Sequence, residues 1–198
     1  TSIASAGDVN GDGYSDFIVG APGYSNGQAN EGSAAVYFGG AEGPMATAAW
    51  TTEGNQVSAL FGCEVAAAGD VNGDGYGDAL VGAAYFDNGE TDEGRAYAFF
   101  GTPTGLPIAP SWSTEGNQAN ANWGCSLKGA GDVNGDGYSD VVVGARGYSN
   151  GQTGEGRAAV FHGSPGGLPA APNWIAEGQQ TNADFGESVA GAGDLNGD

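Results

Sequence analysis

Basic side chains are almost missing from this chain of 198 residues: Arg95, Lys128, Arg146 and Arg157 stand against 24 acids, for a formal net charge of −20. A surface of that sign repels a phosphate backbone, which excludes nucleic acid as an electrostatic partner. It equally disfavours anionic membranes. His162 is the only histidine, so the base that most Ser-His-Asp and Cys-His sites require is wanting, and a non-catalytic role is expected. His162 itself stands where Phe38 and Phe100 stand in earlier repeats, which reads as a substituted packing position. No apolar run reaches 18 residues, so membrane insertion by a helix is not expected. No charged-then-apolar leader is read at Thr1; a targeting segment is expected to have been removed or to lie outside this sequence. Cysteine is limited to Cys63 and Cys125. A bridge needs Cα atoms within about 7 Å, so two small buried thiols and an oxidised pair across adjacent inner strands both stay open.

Glycine is plentiful, at 40 residues, while only 14% of side chains are charged and no 3.6-residue apolar period is sustained. Short strands and turns follow, hence an all-β chain with almost no helix. An internal period dominates everything else. Asp8-Val9-Asn10-Gly11-Asp12-Gly13-Tyr14-Ser15-Asp16 recurs at Asp70 to Asp78 and Asp132 to Asp140, always 62 residues on, with a clipped copy at Asp194 to Asp198.

Each full copy places side-chain oxygens at positions 1, 3, 5 and 9, a Gly at position 6 and a Tyr at position 7. That donor set suits a hard cation with six to eight oxygen ligands in a tight loop. Asp, Asn and Gly also make ordinary turns, but a turn has no use for three carboxylates in one small volume. Two such charges in contact repel by about 4 kcal/mol at an effective dielectric near 20. The expected Ca²⁺ ligands are Asp8, Asn10, Asp12, Tyr14 and Asp16; Asp70, Asn72, Asp74, Tyr76 and Asp78; Asp132, Asn134, Asp136, Tyr138 and Asp140; and, in the truncated site, Asp194, Asn196 and Asp198. Three complete sites would bring the charge to −14. An EF-hand would carry Glu at position 12, where this chain has Val19, Val81 and Val143. The apolar runs that follow the loops, Phe17-Ile18-Val19, Ala79-Leu80-Val81 and Val141-Val142-Val143, read as buried strands.

With these elements in hand, the repeat resembles the FG-GAP repeat of integrin α-subunit β-propellers and their bacterial relatives. Phe61-Gly62 and Phe185-Gly186 supply the "FG" and Gly20-Ala21-Pro22 the "GAP", with the aspartate loop between such elements. Trp123-Gly124 stands in for one Phe-Gly, and Gly82-Ala83-Ala84 and Gly144-Ala145-Arg146 lack the proline. The resemblance implies an all-β fold of three four-stranded propeller blades plus the first strand of a fourth. The expected divisions are residues 1–62, 63–124 and 125–186, with a truncated fourth repeat at 187–198. Propellers close with about four to eight blades, so the remaining blades of a longer chain, or self-association, are expected to complete the ring.

Small residues mark the expected innermost strands, among them Val65-Ala66-Ala67-Ala68 and Val189-Ala190-Gly191-Ala192; Lys128 is the one charge in that register, facing either acids in the channel or solvent. Trp50, Trp112 and Trp174 repeat in the fourth strand and read as blade-to-blade packing, and Glu31, Glu93 and Glu155 as loop structure. The resemblance points to a secreted or cell-surface adhesion or protein-recognition module, in keeping with calcium loops that fill where calcium is millimolar. Two alternatives accompany it: a propeller lectin binding glycans between blades, with Tyr24, Phe86 and Tyr148 as platforms, and an accessory domain of a secreted hydrolase or lyase. Asp87, Glu90, Asp92 and Asp184 break the repeat, but nothing fixes their spacing as a catalytic pair.

Overall fold

The structure, a computed structural model, describes residues 2–193; Asp194, Asn196 and Asp198 of the truncated loop lie outside the described residues. Twelve strands and no helix are present among them: β1 Ser2–Gly7, β2 Asp16–Ala21, β3 Ser33–Tyr37, β4 Trp50–Glu53, β5 Val65–Gly69, β6 Asp78–Ala83, β7 Arg95–Phe99, β8 Trp112–Glu115, β9 Trp123–Gly131, β10 Asp140–Ala145, β11 Arg157–Phe161 and β12 Trp174–Glu177. They form three antiparallel four-stranded sheets in sequence order, β1 to β4, β5 to β8 and β9 to β12. These are three blades of a partial β-propeller. β1 packs on β5 and β5 on β9, so the first strand of each blade lies beside that of the next.

The local chemistry explains each element. The β-branched and aromatic runs after the aspartate loops form the second strands, and β6 and β10 are buried along their whole length. β2 alternates buried and half-buried residues because its blade has a neighbour on one face only. Before each loop the first strand shifts register, as between Ser5 and Gly7, where Gly7 takes φ of 80°. Such a bulge bends the strand and turns the chain into the loop.

Apolar cores sit between blades. Ile18, Val36, Trp50 and Phe61 of the first blade meet Val81 and Phe99 of the second. Leu80, Ala98 and Trp123 meet Leu127, Val143 and Phe161 in the next interface. The Trp rings edge onto the third strand of the following blade, Trp50 on Phe99 at 4.9 Å between centroids and Trp112 on Phe161 at 5.0 Å. Trp174, by contrast, is 51% exposed, because no following blade lies among the described residues.

The glycines of the two family signatures meet each other. A methyl on Gly20 would overlap the carbonyl oxygen of Gly62, and one on Gly82 would overlap that of Gly124. The segment after each outer strand is thereby threaded between blades, bridging Gly32 to Phe61, Gly94 to Trp123 and Gly156 to Phe185. The third such crossing begins a fourth blade: the Val189 N–H donates to Ser126 Oγ, as the Val65 N–H does to Ser2 Oγ. Residues 187–193 form no strand, since the second strand they would pair with is not among the described residues.

Candidate metal centre

Each aspartate loop is wound around the carboxylate at its first position. Asp8 Oδ1 accepts the Gly11 and Asp12 N–H groups at 2.7 and 3.0 Å, and its Oδ2 accepts the Gly13 N–H at 2.8 Å. Asn10 accepts from the Asp12 N–H at 3.1 Å and donates to Asp12 Oδ2 at 3.0 Å, while Asp12 Oδ1 takes the Tyr14 N–H at 2.9 Å. The loops headed by Asp70 and Asp132 repeat this pattern bond for bond. In the third loop the amide of Gly137, with those of its neighbours, holds the Asp132 carboxyl below the usual range.

The ninth position differs in kind. Asp16, Asp78 and Asp140 are buried at the start of the second strand. Asp78 Oδ2 accepts the Val71 N–H at 2.8 Å and Oδ1 the Gly101 N–H at 2.9 Å, tying the loop to the end of β7. Asp16 joins Val9 and Gly39, and Asp140 joins Val133 and Gly163, in the same way. Burial pushes the Asp78 carboxyl up to about 7, and the charges of Asp74 and Asp70 push in the same direction. Asp16 is raised for the same first reason, with Asp12 and Asp8 adding to it.

The loop acids are thus close enough to oppose one another's ionisation, and every side-chain donor in the set is a hard oxygen. In donor type and charge the residues fit a hard divalent cation. As placed, the carboxylates face the loop amides, and among the described residues no group of three or more His, Cys, Asp or Glu is arranged around a common metal position.

Cross-blade links between loops escaped the sequence reading. The Tyr76 ring lies against Gly11 of the preceding loop, and Tyr138 against Gly73. The Gly77 N–H donates to the Asp8 carbonyl at 2.7 Å and the Thr102 N–H to the Val9 carbonyl at 3.2 Å; Ser139 and Ser164 repeat this onto Asp70 and Val71. Successive loops therefore interlock into a chain. The signal lay in the strict recurrence of Tyr at position 7.

Elsewhere, Glu31, Glu93 and Glu155 are buried and organise their loops, Glu31 Oε1 accepting the Asn26 N–H at 2.6 Å and Glu93 the Asn88 N–H at 2.5 Å. Lys128 faces an acid, pairing with Glu64 at 2.5 Å. The His162 N–H donates to Asn173 at the end of β11. Cys63 and Cys125 are free thiols. Two of the three expected aromatic platforms are already covered: the Arg95 guanidinium stands 4.1 Å from the Phe86 centroid and that of Arg157 3.4 Å from the Tyr148 centroid. Arg95 pairs with Glu115, and Arg157 Nε donates to Glu177 at 3.0 Å, across directly opposed strand positions. In the first blade Ser33 replaces the Arg, and Glu53 keeps only the Asn26 donation that Asn88 and Asn150 also make to Glu115 and Glu177.

The comparisons with known proteins agree with this architecture. The family model described as FG-GAP repeat matches residues 1–37, 64–99 and 129–161. The chain is 39% identical over 158 residues to integrin alpha-PS2 of Drosophila melanogaster, covering 73% of this chain and 11% of that protein. It is 36% identical over 165 residues to mouse integrin alpha-IIb, with 80% and 15% covered. To integrin alpha-5 of Xenopus laevis it is 32% identical over 186 residues, with 89% and 17% covered. It therefore spans under a fifth of the length of each of these relatives. Three repeats with the signature glycines in mutual contact, the interposed aspartate loops and these matches establish that the chain belongs to the FG-GAP repeat family.

Proposed function

We propose that this chain is part of a non-catalytic, extracellular propeller module, stabilised by Ca²⁺ and serving adhesion or protein recognition. The observation that carries the reading is the aspartate loop, built three times from the same residues with the same hydrogen bonds and set at the same corner of each blade. Asp8, Asn10, Asp12 and Asp16, with Tyr14 at position 7, would hold the cation in the first loop; the residues 62 and 124 positions on would hold it in the second and third. The cation supplies positive charge among acids that otherwise oppose one another. The chain's own residues supply the rest: the buried ninth-position Asp clamps loop to strand, and the tyrosines join loop to loop. Ca²⁺ binding to the folded form alone adds to folding stability by mass action.

An interaction role is supported by family membership, by the absence of a histidine-based catalytic set and by the similarity to integrin alpha chains. Trp174 and Ile175 leave one blade face open, and further blades or a second copy are expected to cover it. Isothermal titration with Ca²⁺ tests the cation: the expected stoichiometry is about three per chain, falling by one when Asp70 and Asp74 are both changed to Asn. No heat of binding at millimolar Ca²⁺ would refute it.

A further inference from the structure

The first blade keeps a slot that the other two blades fill. In the second, Arg95 at the head of β7 lies over the Phe86 ring and pairs with Glu115 on the opposed strand. In the third, Arg157 at the head of β11 lies over the Tyr148 ring and pairs with Glu177. At the same places in the first repeat the ring is Tyr24, the opposed acid is Glu53 and the head of β3 is Ser33. Ring and carboxylate are retained there, and the guanidinium between them is not.

The emptied slot has the character of a cation site. Tyr24 is 41% exposed, and among the described residues no cation stands over its ring. Glu53 takes the Asn26 amide on its two oxygens, at 3.0 and 3.2 Å, and no basic side chain. Its unbalanced charge pushes the Tyr24 phenol above its ordinary range. The chain has no cation to spare for it: besides the two arginines above, Lys128 pairs with Glu64, and Arg146 is held by Tyr85 and Glu187. The two filled slots line clefts between blades, and the first blade has no preceding blade over its slot among the described residues, which leaves it open to an incoming side chain.

A guanidinium matches both walls at once, because its fork pairs with a carboxylate while its flat face stacks on an aromatic ring; an ammonium does so less well. Arg157 shows the fit. Its Nε and Nη2 both reach Glu177 Oε1, at 3.0 and 2.5 Å, with the guanidinium carbon 3.4 Å from the Tyr148 centroid.

We propose that the first blade binds an arginine side chain of a partner protein, its guanidinium lying on Tyr24 and paired with Glu53 in the place that Arg95 and Arg157 hold in their own blades. This rests on the protein-recognition reading for the source of the side chain; the titration below measures the slot without any partner, so either can fail alone.

The test is an NMR titration of isotopically labelled protein with acetyl-arginine-amide, at low salt in calcium-containing buffer, followed at the Asn26 side-chain amide and the Tyr24 ring. Both signals move saturably. Glu53→Gln weakens the binding about tenfold or more, and Ser33→Arg, which gives the first blade a guanidinium of its own, abolishes it. Acetyl-citrulline-amide, of the same shape without the charge, moves neither signal, and acetyl-lysine-amide binds more weakly. Signals that stay in place, that move equally with the citrulline amide, or that report equal or tighter binding of the lysine amide overturn the proposal. So does undiminished binding in either variant that folds. A neutral methyl glycoside that moves the Tyr24 signal where the arginine amide does not also overturns it, since the ring then serves a sugar.

Discussion

Asp78 carries two jobs on one carboxylate: each oxygen accepts a buried backbone N–H, one from the loop and one from beyond β7. Asp78→Ala orphans both donors and is expected to cost about 2–5 kcal/mol in urea unfolding. Asp78→Asn keeps one good acceptor and should cost less than half as much. A second prediction concerns Cys63, whose thiol burial pushes up to about 11 from 9.0. Because the folded value is the higher one, the neutral thiol favours the fold fully below pH 9, and this contribution is lost as pH climbs toward about 11. At pH 8 iodoacetamide should label Cys63 about a hundredfold more slowly in the folded chain than in the unfolded one, from thiolate fraction alone. Equal rates would contradict the burial. At this scale the sequence carried the loop residues and their spacing. It did not carry the division of labour within the loop, because Asp8 and Asp16 are the same residue type and only their burial separates a half-buried turn-former from a fully buried clamp.

The strands were legible where they were apolar on both faces: β6 and β10 appear as the runs Ala79-Leu80-Val81 and Val141-Val142-Val143 announce. Contacts between blades were not legible. A period states which residues are equivalent and is silent on which are adjacent, so Tyr76 on Gly11, or Trp50 donating to Pro107, required the rotation of one blade onto the next. The same holds for Arg95 over Phe86, which turned an expected sugar platform into an internal contact. The meeting of signature glycines yields a third prediction: Gly82→Ala should destabilise by about 1–3 kcal/mol or more through overlap with Gly124. Gly23→Ala, where a methyl meets nothing within 4 Å, should change stability by under about 0.5 kcal/mol. Parallel thermal melts of the two variants check both.

Across the whole molecule, the acid excess and the interlocked loops belong to one design. Loops that exchange hydrogen bonds and tyrosine rings across blades make any cation in one loop a support for its neighbour. Losing the cations should therefore loosen blade against blade, beyond softening single turns. The uncovered face at Trp174 and Ile175 stands outside this coupling and is expected to be the most exchange-prone surface of the third blade in hydrogen-exchange measurements. The most direct measurement is the melting temperature of this chain in millimolar Ca²⁺ against excess EGTA. Three sites each filled to about a hundred times Kd contribute about 2.7 kcal/mol apiece, so the chelated protein should melt more than about 10 °C lower. Coincident melts in the two buffers would contradict the calcium account.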